Sequence, residues 1–137
     1  IGLTYLGEGR LLLVTDRLWF SGDYGVTWGG PDGATEPLAI APAPGGNTWN
    51  QWDPFLVVKD EAGKVTRLVQ TGYGMNHEWY GSDKGPGYST GYLRFSMDEG
   101  RTWSEAIAPP QWTGVSEVAL LRGKNCLLYT SPSPRDP

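Results

Sequence analysis

Apolar positions along this chain come in short runs broken by turn residues, with no helix-length periodicity. Residues 3–6 and 10–15 are two such runs, and Gly7-Glu8-Gly9 between them predicts a hairpin. Residues 18–21 continue as a third strand after the polar pair Asp16-Arg17. Residues 29–52 hold five Gly and four Pro, which predicts a long connection with little regular structure. Residues 55–59 form the next strand, entered through Asp53-Pro54. Asp60-Glu61-Ala62-Gly63 turns the chain, and 64–72 return as another strand. Residues 74–91 read as a long polar-aromatic loop. In 92–96 the alternation puts Leu93 and Phe95 on one face and Tyr92 and Arg94 on the other. A strand is expected around 105–108, broken by Pro109-Pro110. Residues 115–122 begin a further strand, and Gly123-Lys124-Asn125 starts a turn that is not expected to be completed.

Two stretches share one pattern, S-x-D-x-G-x-T-W. The first comprises Ser21, Asp23, Gly25, Thr27 and Trp28; the second comprises Ser96, Asp98, Gly100, Thr102 and Trp103. Each predicts a tight turn between strands. Ser and Asp side chains can bond the backbone N–H groups of the turn, and the Gly supplies a backbone angle other residues resist. The Thr re-enters an extended strand, and the Trp ring is expected to bury against the neighbouring sheet. These ten residues are scaffold. Four strands are thus expected between Asp53 and Ala108, in a meander with the second motif between the third and fourth.

Composition agrees with short strands and many turns: the 137 residues include 20 Gly, 11 Pro and 7 Trp. Eleven Lys+Arg against 15 Asp+Glu leave a mildly acidic chain, with no basic stripe for nucleic acid. No apolar run approaches membrane-spanning length. The chain starts at Ile1 and is expected to be a piece of something longer, so a missing signal peptide carries little weight. The single Cys, Cys126, opens the string Cys-Leu-Leu-Tyr-Thr-Ser-Pro-Ser-Pro-Arg-Asp, which resembles one reading frame of a transposase-type sequencing adapter. Residues 126–137 are therefore expected to be a non-native tail. The alternative is a Pro/Ser-rich terminus. One His, His77, without neighbouring ligand candidates predicts neither a metal site nor a cofactor.

The repeated motif is the Asp-box, and over residues 3–125 the chain resembles the sialidase (BNR-repeat) β-propellers. The resemblance implies an all-β fold: a partial β-propeller of about two four-stranded antiparallel blades from a six-bladed sialidase-like whole. Residues 1–28 would be a partial blade, 53–108 a complete one, and 115–125 the start of the next. Successive strands of a meander run up and down. The boxes therefore lie at one end, and the long connections 29–52, 74–91 and 110–116 at the other. Loops on a rigid scaffold carry function disproportionately. In the sialidase family the substrate pocket sits on that loop face.

Two carboxylates fall at the starts of innermost strands on that face: Asp53 in Trp-Asp-Pro-Phe and Glu117 in Val-Ser-Glu-Val. Glu117-Val118-Ala119-Leu120 resembles the family segment in which a Glu acts as base toward a nucleophilic Tyr, outside the usual two-carboxylate scheme. Asp53-Pro54 resembles the Asp-Pro that opens the family's second blade, where a structural cap competes with catalysis. Asp16 lies in the connection where the family carries its acid/base Asp; a plain hairpin turn is the alternative. His77, Glu78, Trp79 and Tyr80 suit sugar binding or a solvated loop, and Trp49 and Trp52 either line a sugar site or cap a core. A working sialidase also needs an Arg cluster for the substrate carboxylate. The family's Phe-Arg-Ile-Pro-like stretch before the first box has no counterpart here. Arg94 and Arg101 are assigned to the rim of the box hairpin.

The implied function is that of a fragment of an exo-sialidase-like (neuraminidase) glycoside hydrolase acting on terminal sugars of glycans, with a secreted, periplasmic or cell-surface location. The alternative is a non-catalytic Asp-box propeller that binds glycans or proteins. Alone, two blades are expected to be inactive and poorly stable, because each blade buries its faces against both neighbours.

Overall fold

The computed structural model describes residues 1–51, 53–75, 89–115, 117–122 and 128–131. Strands β1 (Gly2–Gly7), β2 (Arg10–Val14), β3 (Arg17–Ser21) and β4 (Leu38–Ala39) form one sheet in that order. Strands β5 (Leu56–Lys59), β6 (Val65–Met75) and β7 (Ser89–Ser96) form a second, and β8 (Ala119–Arg122) pairs with β9 (Leu128–Ser131) in a third. Every neighbouring pair is antiparallel. Among the described residues there is no α-helix, only short 3-10 turns, and no helix is long and apolar enough to cross a membrane. The chain is an all-β protein built on antiparallel sheets of four and three strands.

The departures from the sequence reading have backbone causes. The connection 29–52 is not structureless: Leu38 and Ala39 pair with Leu18 and Arg17, which supplies the first sheet with its fourth strand. Asn50 exchanges two 3.0 Å hydrogen bonds with Tyr73, which pins the end of this connection to β6. Strand β6 runs on through Gly72 to Met75 because β7 matches it residue for residue up to Met75↔Ser89. A partner for the backbone outweighs the weak strand propensity of Gly-Tyr-Gly. The strand expected around 105–108 shrinks to one bridge, Leu93↔Ile107, with bonds of 2.9 and 2.8 Å. Pro109 and Pro110 follow at once and carry no N–H to extend it. Residues 115–122 become a strand only from Ala119. Residues 128–131, inside the stretch expected to be a non-native tail, pair with β8. An open sheet edge bonds any extended backbone, so this pairing follows from the edge itself.

The first two sheets pack face to face through alternating residues. Leu6, Leu12, Val14 and Leu18 from the first meet Phe55, Val65 and Leu68 from the second, with Leu38, Ile40, Val57 and Trp103 around them. Leu68 is wholly buried. Outward positions of β1 stay open, with Leu3 and Tyr5 more than half exposed.

The two boxes fold alike, atom for atom. In the first, Ser21 Oγ donates to Asp23 Oδ1 (2.8 Å) and accepts from the Gly25 N–H (2.9 Å). Asp23 in turn accepts from the Thr27 N–H (2.9 Å) and the Thr27 hydroxyl (2.6 Å). In the second, Ser96 Oγ donates to Asp98 (2.8 Å) and takes the Gly100 N–H (2.7 Å), while Asp98 takes both donors of Thr102. Each Trp indole N–H closes back on its own turn, Trp28 to the Gly25 carbonyl at 2.9 Å and Trp103 to that of Gly100 at 3.1 Å. The rings then part ways. Both rings are half-buried: Trp103 lies tilted 5.0 Å from Phe55 against the core, whereas Trp28 lines a cavity at the box end.

Two residues per turn, not one, are left-handed: Tyr24 (φ 60) with Gly25 (φ 85), and Glu99 (φ 57) with Gly100 (φ 94). That is the type I′ arrangement whose twist suits the flanking strands. Gly100 also docks on the first sheet, where an added Cβ would lie 3.2 Å from Leu12 and near Leu18 and Leu68. Gly100→Ala is therefore expected to cost about 2 kcal/mol or more, from strain and overpacking together. Gly33→Ala, equally left-handed (φ 83) but facing open space, should cost less. Urea denaturation of both variants measures the difference.

The box carboxylates also predict an acid response. Asp23 is held below its ordinary 3.8 chiefly by the Thr27 hydroxyl, then by the Thr27 N–H and Ser21. For Asp98, partial desolvation pushes upward, but bonds from Thr102 and Ser96 and the charge of Arg101 outweigh it, and the net shift is downward. A carboxylate with a lowered folded pKa releases its proton more readily in the folded chain than in the unfolded one. Its stabilisation is complete above the unfolded value and is lost as the pH falls through the folded value. The melting temperature should therefore drop from about pH 5 to about pH 3, and Asp98→Asn should melt lower at neutral pH with a shallower acid slope.

Candidate functional site

The loop end of the second sheet lies opposite its box. Strand β7 runs from Ser89 to Ser96, where the box begins, so the ends are about 23 Å apart at roughly 3.3 Å per residue. Residues 113–114 and the end of the 29–52 connection lie at the Ser89 end, whereas residues 29–35, expected at the same end, lie beside the boxes, where Asp32 pairs with Arg101. Thr113 bridges Thr90, and the Gly114 N–H donates to the Ser89 carbonyl at 2.9 Å. Asn50 is fastened to Tyr73 nearby.

Asp53 and Glu117 come together at this end. They line one cleft with Asn50, Gln51, Thr71 and Tyr73, with free space of about 10 Å3, room for one water. The walls are tied by polar bonds. Thr71 Oγ1 donates to the Val118 carbonyl at 2.6 Å, and Gln51 Nε2 donates to the Asp53 carbonyl at 2.9 Å. On the other side, the Phe55 N–H donates to Thr4 Oγ1 at 2.8 Å, which joins the start of the second sheet to β1. A Cβ on Gly2 would lie 2.5 Å from the Asp53 carbonyl oxygen, so the backbones of the two sheet starts are in direct contact.

Glu117 has a left-handed backbone (φ 56). The other described non-glycine residues with positive φ are Glu8, Tyr24, Asp32 and Glu99, and each precedes a left-handed Gly in a turn. Glu117 instead precedes Val118, which is buried and bonded to Thr71. The conformation costs about 1 kcal/mol or more for such a residue. The fixed neighbours hold it, and the exposed Glu117 side chain is left at the rim of the cleft.

The other expected site residues divide. Asp16 sits exposed at the β2–β3 turn and accepts from Thr15 Oγ1 at 2.9 Å; it is not among the residues lining the Asp53–Glu117 cleft. Trp49 cannot stack on a sugar as it stands. It is 7 % exposed, with the Arg94 guanidinium 4.1 Å from its ring centre, Tyr92 alongside, and the edge of the indole pressed on Gly72. It caps the core. Trp52, His77, Glu78, Trp79 and Tyr80 lie outside the described residues. Among the described residues no three His, Cys, Asp or Glu side chains converge as metal ligands.

Arg94, assigned from the sequence to an exposed rim, is 4 % exposed. The alternation in 92–96 was legible, but the choice of face was not. Tyr92, Arg94 and Ser96 turn toward the first sheet and its connection, and Leu93 and Phe95 are only half-buried on the other side. Arg101 does lie outside, where its guanidinium pairs with Asp32 at 2.6 Å. A second ion pair joins Arg10 of β2 to Glu99 of the second box. These two pairs flank a cavity of about 540 Å3 beside Trp28 at the box end, away from the Asp53–Glu117 cleft.

Gly72 is where packing at the loop end is tightest, since an added Cβ would meet the Trp49 ring at 2.3 Å. Gly72→Ala must displace the indole, and a loss of about 1–3 kcal/mol is expected by denaturant titration, with a red-shifted tryptophan emission. No protein-family model matches the chain, and neither a curated protein nor a solved structure matches it.

Proposed function

We propose that this chain is a segment of an Asp-box β-propeller of the exo-sialidase-like glycoside hydrolase type, acting on terminal sugars of glycans. The observation that carries the reading is Glu117. It is the described non-glycine residue held left-handed outside an X-Gly turn, and it shares a cleft with Asp53 where two successive sheets begin. Backbone strain held in place by fixed neighbours is a feature of functional sites. Two further observations support the architecture. The box turns repeat the same bonds, and successive sheets are joined at their starts, β1 to the second sheet through Thr4–Phe55 and β6 to the third through Thr71–Val118. The exposed apolar positions of β1 and β8, among them Leu3, Tyr5 and Leu121, are where further blades would pack. In this reading Glu117 serves as base toward a nucleophilic tyrosine elsewhere in the propeller, and Asp53 shapes the floor of the pocket.

A non-catalytic propeller that binds glycans or proteins is the second reading. It is favoured by the small cleft and by the buried Trp49, which offers no sugar platform. Glu117→Gln and Asp53→Asn in the complete protein containing this segment separate the two. On a chromogenic sialoside, Glu117→Gln is expected to lower kcat by about 100-fold or more, the scale of a lost general base, with an unchanged melting temperature. Asp53→Asn should lose less. A complete protein that turns over no sialoside but binds immobilised glycans would establish the second reading.

A further inference from the structure

Arg94 presents a charge that no carboxylate among the described residues answers. Its Nε donates to Gln70 Oε1 and its Nη1 to the Ala41 carbonyl at 3.3 Å; among the described residues Nη2 has no hydrogen-bond partner and no carboxylate lies within ion-pair distance. Its plane is held by two indoles, Trp49 at 4.1 Å and Trp103 at 5.5 Å from the guanidinium carbon. Gln70 cannot turn away, since it is 2 % exposed and its own amide N–H is engaged by Gln51. Burial pulls the Arg94 pKa down to about 10, so the group remains charged at neutral pH and its desolvation is not relieved by proton loss.

Beside it lies a cavity of about 130 Å3 between the first and second sheets. Leu18, Leu38 and Ile40 form apolar walls, and Gln70, Arg94 and Trp103 form the polar end. The space is large enough for several waters or one small organic anion. Arg101 also borders it, but its guanidinium is already neutralised by Asp32 and bonded to the Asp98 carbonyl. One unpaired positive charge therefore faces a small, half-apolar space.

We propose that this cavity is a binding site for a small monocarboxylate, seated on the Arg94 guanidinium with its short alkyl group against Leu18, Leu38 and Ile40. The guanidinium fork matches a carboxylate, and the pair would replace the water that burial removes. A single uncompensated cation selects a monoanion. A dianion such as phosphate would carry an unpaired charge against the leucines, at a steep desolvation cost. The site is separate from the Asp53–Glu117 cleft and does not depend on the proposed hydrolase activity.

The test titrates sodium acetate into the 137-residue chain against a matched series of sodium fluoride, whose strongly hydrated ion the apolar walls exclude. Tryptophan emission is the readout, because Trp49 and Trp103 flank the guanidinium. Acetate is expected to give a saturable change and fluoride none. Leu38→Phe fills the cavity while keeping the guanidinium, and should weaken acetate by about tenfold or more with an unchanged circular dichroism spectrum. Arg94→Met should abolish saturation; if it does not fold, the Leu38→Phe comparison decides. A wild-type response that is linear, or matched by fluoride, overturns the proposal. So does saturation at the same acetate concentration in folded Leu38→Phe.

Discussion

The rest of the structure depends on a hydroxyl–carboxylate clamp. Ser96 and Asp98 together take the Gly100 N–H and both donors of Thr102, which fixes a turn with two successive left-handed residues. Only one of those residues is a glycine. The other, Glu99, would resist the conformation alone, and the side-chain bonds around it make the turn the favourable outcome. Once formed, the turn sets Gly100 against Leu12 and Leu18 and brings Glu99 to Arg10 on the first sheet and Arg101 to Asp32 in the 31–33 turn. A local hydrogen-bond pattern thereby decides how two sheets dock.

That docking separates scaffold from candidate chemistry. The box end is closed by two ion pairs, Arg10–Glu99 and Arg101–Asp32, whose charges match each other. At the far end the sheet starts meet through backbone and hydroxyl contacts, Thr4 to Phe55 and Thr71 to Val118. Among the described residues, Asp53 and Glu117 sit there beside polar neighbours and outside the two ion pairs of the box end. The strain at Glu117 is sustained by the buried Val118 that follows it, so the rim residue inherits rigidity from the core.

Between the two ends, Arg94 shows how an inter-sheet layer can hold a cation. Dispersion and ring quadrupoles from Trp49 and Trp103, with the Gln70 amide and the Ala41 carbonyl, offset part of its desolvation. Gly72 makes this possible, since only a residue without Cβ lets Trp49 lie flat enough on β6 to meet the guanidinium.

Local pattern made much of this legible in advance. Turn residues and alternation gave the strands that became β1 to β3 and β5 to β7, and the repeated Ser-x-Asp-x-Gly-x-Thr-Trp gave the bonding of both boxes, because those bonds span at most five residues. The pairing of Asp53 with Glu117 was legible only as two positions at strand starts, not as a shared cleft. Tertiary contacts decided the rest. Leu38-Ala39 became a strand because β3 had a free edge, and β6 lengthened because β7 matched it. Trp49 went inside because Gly72 left it room, and Arg94 followed because two indoles covered it. Short-range hydrogen bonds are written in neighbouring residues. Which face of a two-sided strand is buried depends on what the rest of the chain lays over it, and alternation alone carries no sign for that choice.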